Sequence, residues 1–140
     1  MKKAIAILLV AAGVTSCGDS QSAQWGRLLD ADGNVLLELE IAIAQTEYER
    51  HEGLRLHGPL APNEGLLLVF PEEGRVCITN AGVPFPIDVI YLSADRQVIA
   101  IERNIPANAP GPYCHPTTQL VLELEGDTLP PFNYAKLELF

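Results

Sequence analysis

Hydrophobic and polar residues alternate along several short stretches of this chain. From Leu37 to Ile43 every second residue is Leu or Ile, and Glu or Ala fills the positions between them. A period of two places alternate side chains on opposite faces of a strand. A turn over residues 30–34, which contains Gly33, separates this strand from residues 25–29. The pattern predicts an antiparallel hairpin with one buried face.

The period changes after residue 44. Thr46 is followed three residues later by Glu49, which is the pattern of a helix capping box. We therefore predict a short helix over residues 47–55. Residues 56–64 contain two prolines and a glycine and are predicted to form a loop.

Short apolar runs and turn-forming residues make up the rest of the chain. Residues 87–92 are apolar on both faces apart from Asp88, and they form a predicted hairpin with residues 97–103. Residues 119–125 alternate, which predicts that Leu120, Leu122 and Leu124 point inward. The remaining predicted strands cover 65–70, 75–79 and 135–139, with a turn over 71–74 and loops over 104–117 and 126–133. Together these elements predict a mainly β fold of the α+β type, with seven or eight strands in a compact antiparallel barrel-like or sandwich sheet and one short helix after the second strand.

The first seventeen residues have the pattern of a bacterial lipoprotein signal. Lys2 and Lys3 precede an apolar run that is about half as long as the ~20 residues of a membrane-spanning helix. The run ends in Val14-Thr15-Ser16-Cys17, a lipobox. We predict a signal peptide over 1–16, lipidation of Cys17, a tether over 17–24 and a single globular domain over 25–140. The alternative is an ordinary secretory signal whose cut falls near Cys17.

The charge of the chain restricts its partners. The 140 residues include 9 Lys and Arg against 18 Asp and Glu, a formal net charge of −9. Such a surface repels nucleic acid and anionic lipid headgroups. We expect no nucleic-acid partner and attachment to the membrane through the N-terminal lipid. The expected location is the cell envelope, with the domain in the periplasm or at the outer surface of a bacterial membrane.

Two cysteines remain once Cys17 carries a lipid. Cys77 and Cys114 form an even pair in an oxidising compartment, where disulfides persist, so we predict a bridge between them. Two buried free thiols are one alternative. A catalytic or metal-binding role for Cys114 beside His115 is another, although neighbouring residues of a strand point to opposite faces.

Five segments of the chain form a recognisable series. The segments are Thr46-x-x-Glu49-Arg50-x-x-Gly53-Leu54, Gly65-Leu66-Leu67-Leu68-Val69-Phe70, Pro86-Ile87-Asp88-Val89-Ile90-Tyr91-Leu92, Val98-Ile99-Ala100-Ile101 and Val121-Leu122-Glu123-Leu124. In this order they resemble the bacterial and archaeal family called domain of unknown function 192. The resemblance covers roughly residues 35–139 and implies a fold but no activity. Arg55 stands where the family usually has Met. Residues 77–85 replace the aromatic-Met-Lys-Asn segment of many members.

Three charged residues are the candidates for a site. Glu49 and Arg50 lie on the predicted helix, and Asp88 lies in an apolar strand, where an unpaired charge would be costly. The first interpretation is a structural ion pair between Arg50 and Asp88. The second is a pocket in which these two residues bind a sugar or a carboxylate. The third is a catalytic carboxylate pair of Glu49 and Asp88.

No metal, cofactor or nucleophile motif is recognisable. His51 and His57 do not share a helix face, and His115 lies among prolines, so surface positions explain all three histidines. Two hypotheses for function remain. The first is a lipid-anchored, non-enzymatic envelope domain that binds a small polar ligand or another envelope protein. The alternative is a hydrolase acting on an envelope carbohydrate or peptide.

Overall fold

A curled sheet dominates the computed structural model, which describes residues 23–140. The predictions for the signal peptide and Cys17 concern residues outside this range. Within it, seven strands and one short α-helix confirm the mainly β prediction. The elements are β1 (Ala23–Leu29), β2 (Val35–Ala44), α1 (Glu47–Glu52), a 3-10 helix (Gly53–Leu56), β3 (Glu64–Ile78), β4 (Ile87–Leu92), β5 (Val98–Ile105), β6 (Tyr113–Glu125) and β7 (Lys136–Leu139).

The strands follow the spatial order β5-β4-β6-β3-β2-β1-β7. The two ends of this order approach each other, because Gln97 forms a β-bridge with Lys136. The Val98 N–H donates to the Ala135 carbonyl at 2.8 Å, and the Leu137 N–H donates to the Arg96 carbonyl at 2.9 Å. The sheet therefore curls into a half-barrel whose edge strands touch near the start of β5.

One strand pair departs from the antiparallel prediction. Strands β2 and β3 run parallel, from the pair Glu40–Glu64 to the pair Ala44–Leu68. A parallel pair needs a crossover connection. Here α1 and the 3-10 helix provide it, so the short helix crosses one face of the sheet.

Two predicted boundaries are also wrong. The predicted strands over 65–70 and 75–79 belong to the single strand β3, whose pairing with β6 shifts register between Val69 and Val76. Pro71 and Gly74 therefore lie in an irregular part of one strand, where a missing N–H is tolerated. The predicted loop over 104–117 is shorter, because β6 already begins at Tyr113.

The core consists of two hydrophobic clusters on opposite faces of the central strands. The inner cluster lies inside the curl and includes Leu67, Ile90 and Leu122. The outer cluster lies on the other face, under α1 and the 3-10 helix, and includes Leu68 and Val121. Strand β4 is buried along its whole length because it contributes to both clusters.

A disulfide joins Cys77 of β3 to Cys114 of β6, as predicted. The two residues are directly opposite each other in the antiparallel register. The bridge thus connects two central strands that lie far apart in sequence. No helix in residues 23–140 is long and apolar enough to cross a membrane.

Removal of the disulfide should lower the free energy of unfolding. The bridge closes a loop with a sequence separation of 37 residues, which corresponds to about 4 kcal/mol on the loop-entropy model. We expect a loss of this size in urea unfolding of the double variant Cys77→Ala/Cys114→Ala. The Cys17→Ser variant keeps the bridge and serves as the control. A loss below ~1 kcal/mol would show that the bridge does not stabilise the fold.

Candidate functional site

A cavity of about 380 Å³ lies beside α1 and the 3-10 helix, on the face of the sheet that carries the outer cluster. Its lining combines charged groups with an apolar wall. The polar and charged residues include Arg50, His51, Glu52, Arg55, Asn80 and Glu123, and the apolar residues include Leu54, Leu68, Phe70, Ile78 and Val83.

The capping box at the start of α1 fixes one side of this cavity. The Thr46 hydroxyl accepts from the Glu49 N–H at 3.1 Å. The Glu49 carboxylate accepts from the N–H groups of Thr46 at 3.0 Å and Gln45 at 2.8 Å. These N–H groups, that of Thr46 first, lower the pKa of Glu49. The predicted capping box is confirmed, and Glu49 is used in it rather than in a carboxylate pair.

Two arginines hold the crossover in place, Arg50 against β3 and Arg55 against the turn that follows β3. Arg50 Nη1 donates to the carbonyls of Gln45 and, at 3.0 Å, of Val69 in β3. Arg55 Nε donates to the Ala81 carbonyl at 2.9 Å, and its Nη1 donates to the His51 carbonyl at 2.8 Å. Both guanidinium groups line the cavity while their main contacts are backbone carbonyls.

Asp88 is buried, as its position in an apolar strand suggested, but its partners are backbone amides. Its carboxylate accepts from the Asn104 N–H at 2.8 Å and from the Leu129 N–H at 3.3 Å. The carboxylate thereby holds β5 and the loop after β6 against β4. Hydrogen bonds to the ionised form satisfy a buried carboxylate without a cation.

The predicted pairs of Asp88 with Arg50 and with Glu49 are wrong. No salt bridge joins Asp88 to Arg50 in the described range. The reason is strand alternation: Asp88 shares a face of β4 with Ile90 of the inner cluster, whereas Arg50 lies on the side of the outer cluster. The sheet itself separates the two side chains.

Glu123 of β6 is the functional candidate that the sequence did not reveal. It is 5% exposed and occupies the outer-cluster face of β6, next to Val121. Its Oε2 atom is buried and has no hydrogen-bond partner among residues 23–140. Buried polar atoms in proteins nearly always have a hydrogen-bond partner, so an unpaired acceptor on a residue that lines a cavity requires an explanation.

The surroundings of Glu123 favour its neutral form. Burial raises the pKa of Glu123 to about 7, and the positive charge of Arg55 opposes this rise. Gly53 covers the carboxyl group: a Cβ atom at Gly53 would lie 3.4 Å from Oε2, and the backbone there has φ +51°, which favours glycine. The 3-10 helix can therefore approach the carboxyl group closely.

Asn80 contributes a second unpaired acceptor to the cavity lining. It is fully buried, and its Nδ2 donates to the carbonyls of Phe85 at 3.0 Å and Pro106 at 2.9 Å. Its Oδ1 has no partner in the part of the chain that the structure describes. Two buried acceptors thus belong to residues that line one cavity.

One signal in the sequence could have identified Glu123. The alternation of Leu120, Leu122 and Leu124 predicts one buried face of the strand, and Glu123 lies on the opposite face. Val121 on the same face as Glu123, together with a neighbouring strand that is apolar on both faces, indicates burial on both sides. Pairing of β6 between β3 and β4 explains that burial.

A metal centre is not formed by these residues. Within residues 23–140, no three His, Cys, Asp or Glu side chains converge closely enough to hold a metal ion. His115 instead contacts Glu102, with 2.9 Å between Nε2 and Oε1.

Comparisons with known proteins place the chain among uncharacterised relatives. The model of the family domain of unknown function 192, described as "Uncharacterized ACR", matches residues 28–133. A crystal structure from Sinorhizobium meliloti 1021, described as a candidate transcription regulator, is similar with a TM-score of 0.78 and 24% identity, over 86% of this chain and 95% of that one. A protein of unknown function from Novosphingobium aromaticivorans DSM 12444 has a TM-score of 0.73 and 22% identity, over 83% and 84%. These similarities show the fold. No curated protein matches the chain.

Replacement of Asp88 should destabilise the fold, and alanine at this position should do so more than asparagine. Asp88→Ala leaves two amides without their acceptor, which should lower the free energy of unfolding by about 2–4 kcal/mol. Asp88→Asn keeps one acceptor oxygen and should lose roughly half as much. Urea unfolding measures both, with the exposed Asp95→Ala as control. Equal stability of Asp88→Ala and Asp95→Ala would contradict the structural role of Asp88.

The protonation of Glu123 should make stability depend on pH. Its pKa is about 7 in the folded state against 4.5 as the ordinary value, so the folded state binds the proton more tightly. The free energy of unfolding is then highest below pH 4.5. It falls by about 3 kcal/mol in all as the pH rises through 7. In Glu123→Gln this fall should disappear from unfolding curves measured at pH 5 and pH 8. The variant Glu72→Gln, at an exposed position, should keep the pH-dependent fall. If the fall has the same size in both variants, groups other than Glu123 cause it.

Proposed function

We propose that this chain, which belongs to the family domain of unknown function 192, is a lipid-anchored envelope protein whose domain binds a small polar ligand in the cavity beside Glu123. A non-enzymatic binding role is favoured over catalysis. The single observation that carries the proposal is the buried Glu123 carboxyl group, whose Oε2 lacks a partner in the described residues.

An unpaired buried acceptor is destabilising unless something fills its place. Leaving such a group unsatisfied costs roughly 1–3 kcal/mol, and more for a charged group. An apolar residue at position 123 would fit the outer cluster without this penalty. A ligand that donates a hydrogen bond to Glu123 would satisfy the unpaired oxygen and offset the destabilisation that this oxygen causes.

The size and composition of the cavity suit a small molecule. Its volume of about 380 Å³ falls within the range of typical ligand pockets. An apolar wall with a few polar groups is the usual composition of such pockets, since the polar groups orient the ligand. The crossover that covers the cavity is held by the capping box and the two arginines, so the pocket walls are preformed.

The lipid anchor is supported by the sequence. Cys17 follows a basic start and a short apolar run, the arrangement at which lipoproteins are cut and lipidated. The disulfide between Cys77 and Cys114 suits an oxidising compartment. We therefore place the domain in the cell envelope, tethered by the lipid on Cys17.

Two other functions are less well supported. A hydrolase that uses Glu49 and Asp88 as a catalytic pair needs both carboxylates free, yet each accepts hydrogen bonds from backbone amides. The relative from Sinorhizobium meliloti is described as a candidate transcription regulator. Contact with DNA is opposed here by the net charge of −9.

Ligand binding should raise the melting temperature in a way that depends on Glu123. A thermal-shift screen would cover sugars, cell-wall fragments, amino acids and small carboxylates. A ligand at a hundredfold excess over its Kd adds about 2.7 kcal/mol to the stability of the folded state. We expect at least one class to stabilise the unmodified chain and Glu72→Gln, and to lose this effect in Glu123→Gln.

The variants separate the possible results. An equal shift in Glu123→Gln would place the ligand elsewhere and contradict the proposed site. The absence of any shift across the panel would contradict the proposal of a small ligand.

A further inference from the structure

Resting on the proposed function, we infer that the ligand is a free α-amino acid with an apolar side chain, whose ammonium group donates to Glu123 and whose carboxylate accepts from Arg55.

The unpaired groups in the cavity lining are acceptors. Glu123 Oε2 and Asn80 Oδ1 are both buried, and neither has a donor within residues 23–140. An ammonium group carries three N–H donors, whereas a hydroxyl carries one. The ammonium group also brings the positive charge that a buried carboxylate needs, because hydrogen bonds between ionised partners are the stronger ones.

A cation lines the same cavity without neutralising Glu123. Arg55 lies near enough to lower the pKa of Glu123, but no salt bridge joins them in the described residues. The Ala81 and His51 carbonyls hold the guanidinium in place. Within residues 23–140, Nη2 has one acceptor, Ala81 O, for its two N–H groups. One cavity therefore presents a carboxyl group and a guanidinium that do not pair with each other, and a zwitterion matches both.

The remaining wall is apolar. Leu54, Leu68 and Ile78 line the cavity and belong to the outer cluster. A side chain of the size of leucine would bury apolar area there and gain from its removal from water. The cavity of about 380 Å³ accommodates a molecule of this size.

The test compares L-leucine with two analogues that each lack one charge. 3-Methylbutylamine lacks the carboxylate, and 4-methylpentanoate lacks the ammonium group. Titration calorimetry on the full-length chain should show that leucine binds more tightly than either analogue, by about tenfold or more. In Glu123→Gln, leucine should bind no better than 4-methylpentanoate. In Arg55→Gln, it should bind no better than 3-methylbutylamine, while Glu72→Gln should behave as the unmodified chain.

A pH comparison provides a second readout. Burial raises the pKa of Glu123 to about 7, so an ammonium ligand must displace a proton at pH 6. The affinity for leucine should be about tenfold lower at pH 6 than at pH 8, and this difference should be absent in Glu123→Gln. The comparison with Glu123→Gln is needed because other charged groups line the same cavity, namely Glu47, Arg50, His51, Glu52 and Arg55. Tyr91 also lies close enough to Glu123 for the two to interact electrostatically.

The outcomes distinguish this inference from the proposed function. If glucose or another polyol binds in a Glu123-dependent manner and leucine does not, the zwitterion is wrong and the binding role stands. If 3-methylbutylamine binds as tightly as leucine, the role of Arg55 is wrong. If leucine, its analogues and the whole thermal-shift panel fail to bind, both proposals are wrong. The analogue comparison uses the unmodified chain, so it is decisive even if a variant fails to fold.

Discussion

Strand β4 and residues 121–124 of β6 are buried on both faces, so apolar side chains need cover outside the curl as well as within it. Inside the curl, the sheet covers its own inner cluster. On the other face, Leu54 of the 3-10 helix contributes to the cover, together with Val83 and Phe85 from the segment between β3 and β4. The crossover between the parallel strands β2 and β3 brings Leu54 there, and residues of the crossover line one side of the cavity. The site is thus a product of how the outer cluster is shielded from water.

The charged residues of the domain fall into two groups according to whether a backbone group is their hydrogen-bond partner. Backbone amides satisfy Glu49 and Asp88, while backbone carbonyls hold Arg50 and Arg55. These side chains stabilise junctions between elements. Glu123 differs because its Oε2 is buried without such a partner in the described range. In this domain an unsatisfied group, rather than an unusual residue type, points to the site.

Much of the fold could be predicted because local patterns determine it. The alternation in β2 and the capping box at Thr46 depend on neighbouring residues, and both predictions are confirmed. The direction of β3 and the burial of Glu123 depend on which strands become neighbours in the sheet. A local sequence pattern carries no information about this strand order. The need of Asp88 for a partner follows from its position in an apolar strand. Arg50 is the wrong partner because an amide N–H from a distant segment satisfies a carboxylate as well as a guanidinium does. Sequence spacing does not show which segment comes close.

The contact between the two ends of the sheet has a consequence for self-association. A strand edge with free N–H and C=O groups is a template on which another chain can pair and aggregate. The short strand β7 pairs with β1 on one side and meets Gln97 on the other, so little of its edge is open. Beyond Val98, β5 keeps an open edge, which carries Glu102 and Arg103. Charged residues on such an edge discourage pairing between chains.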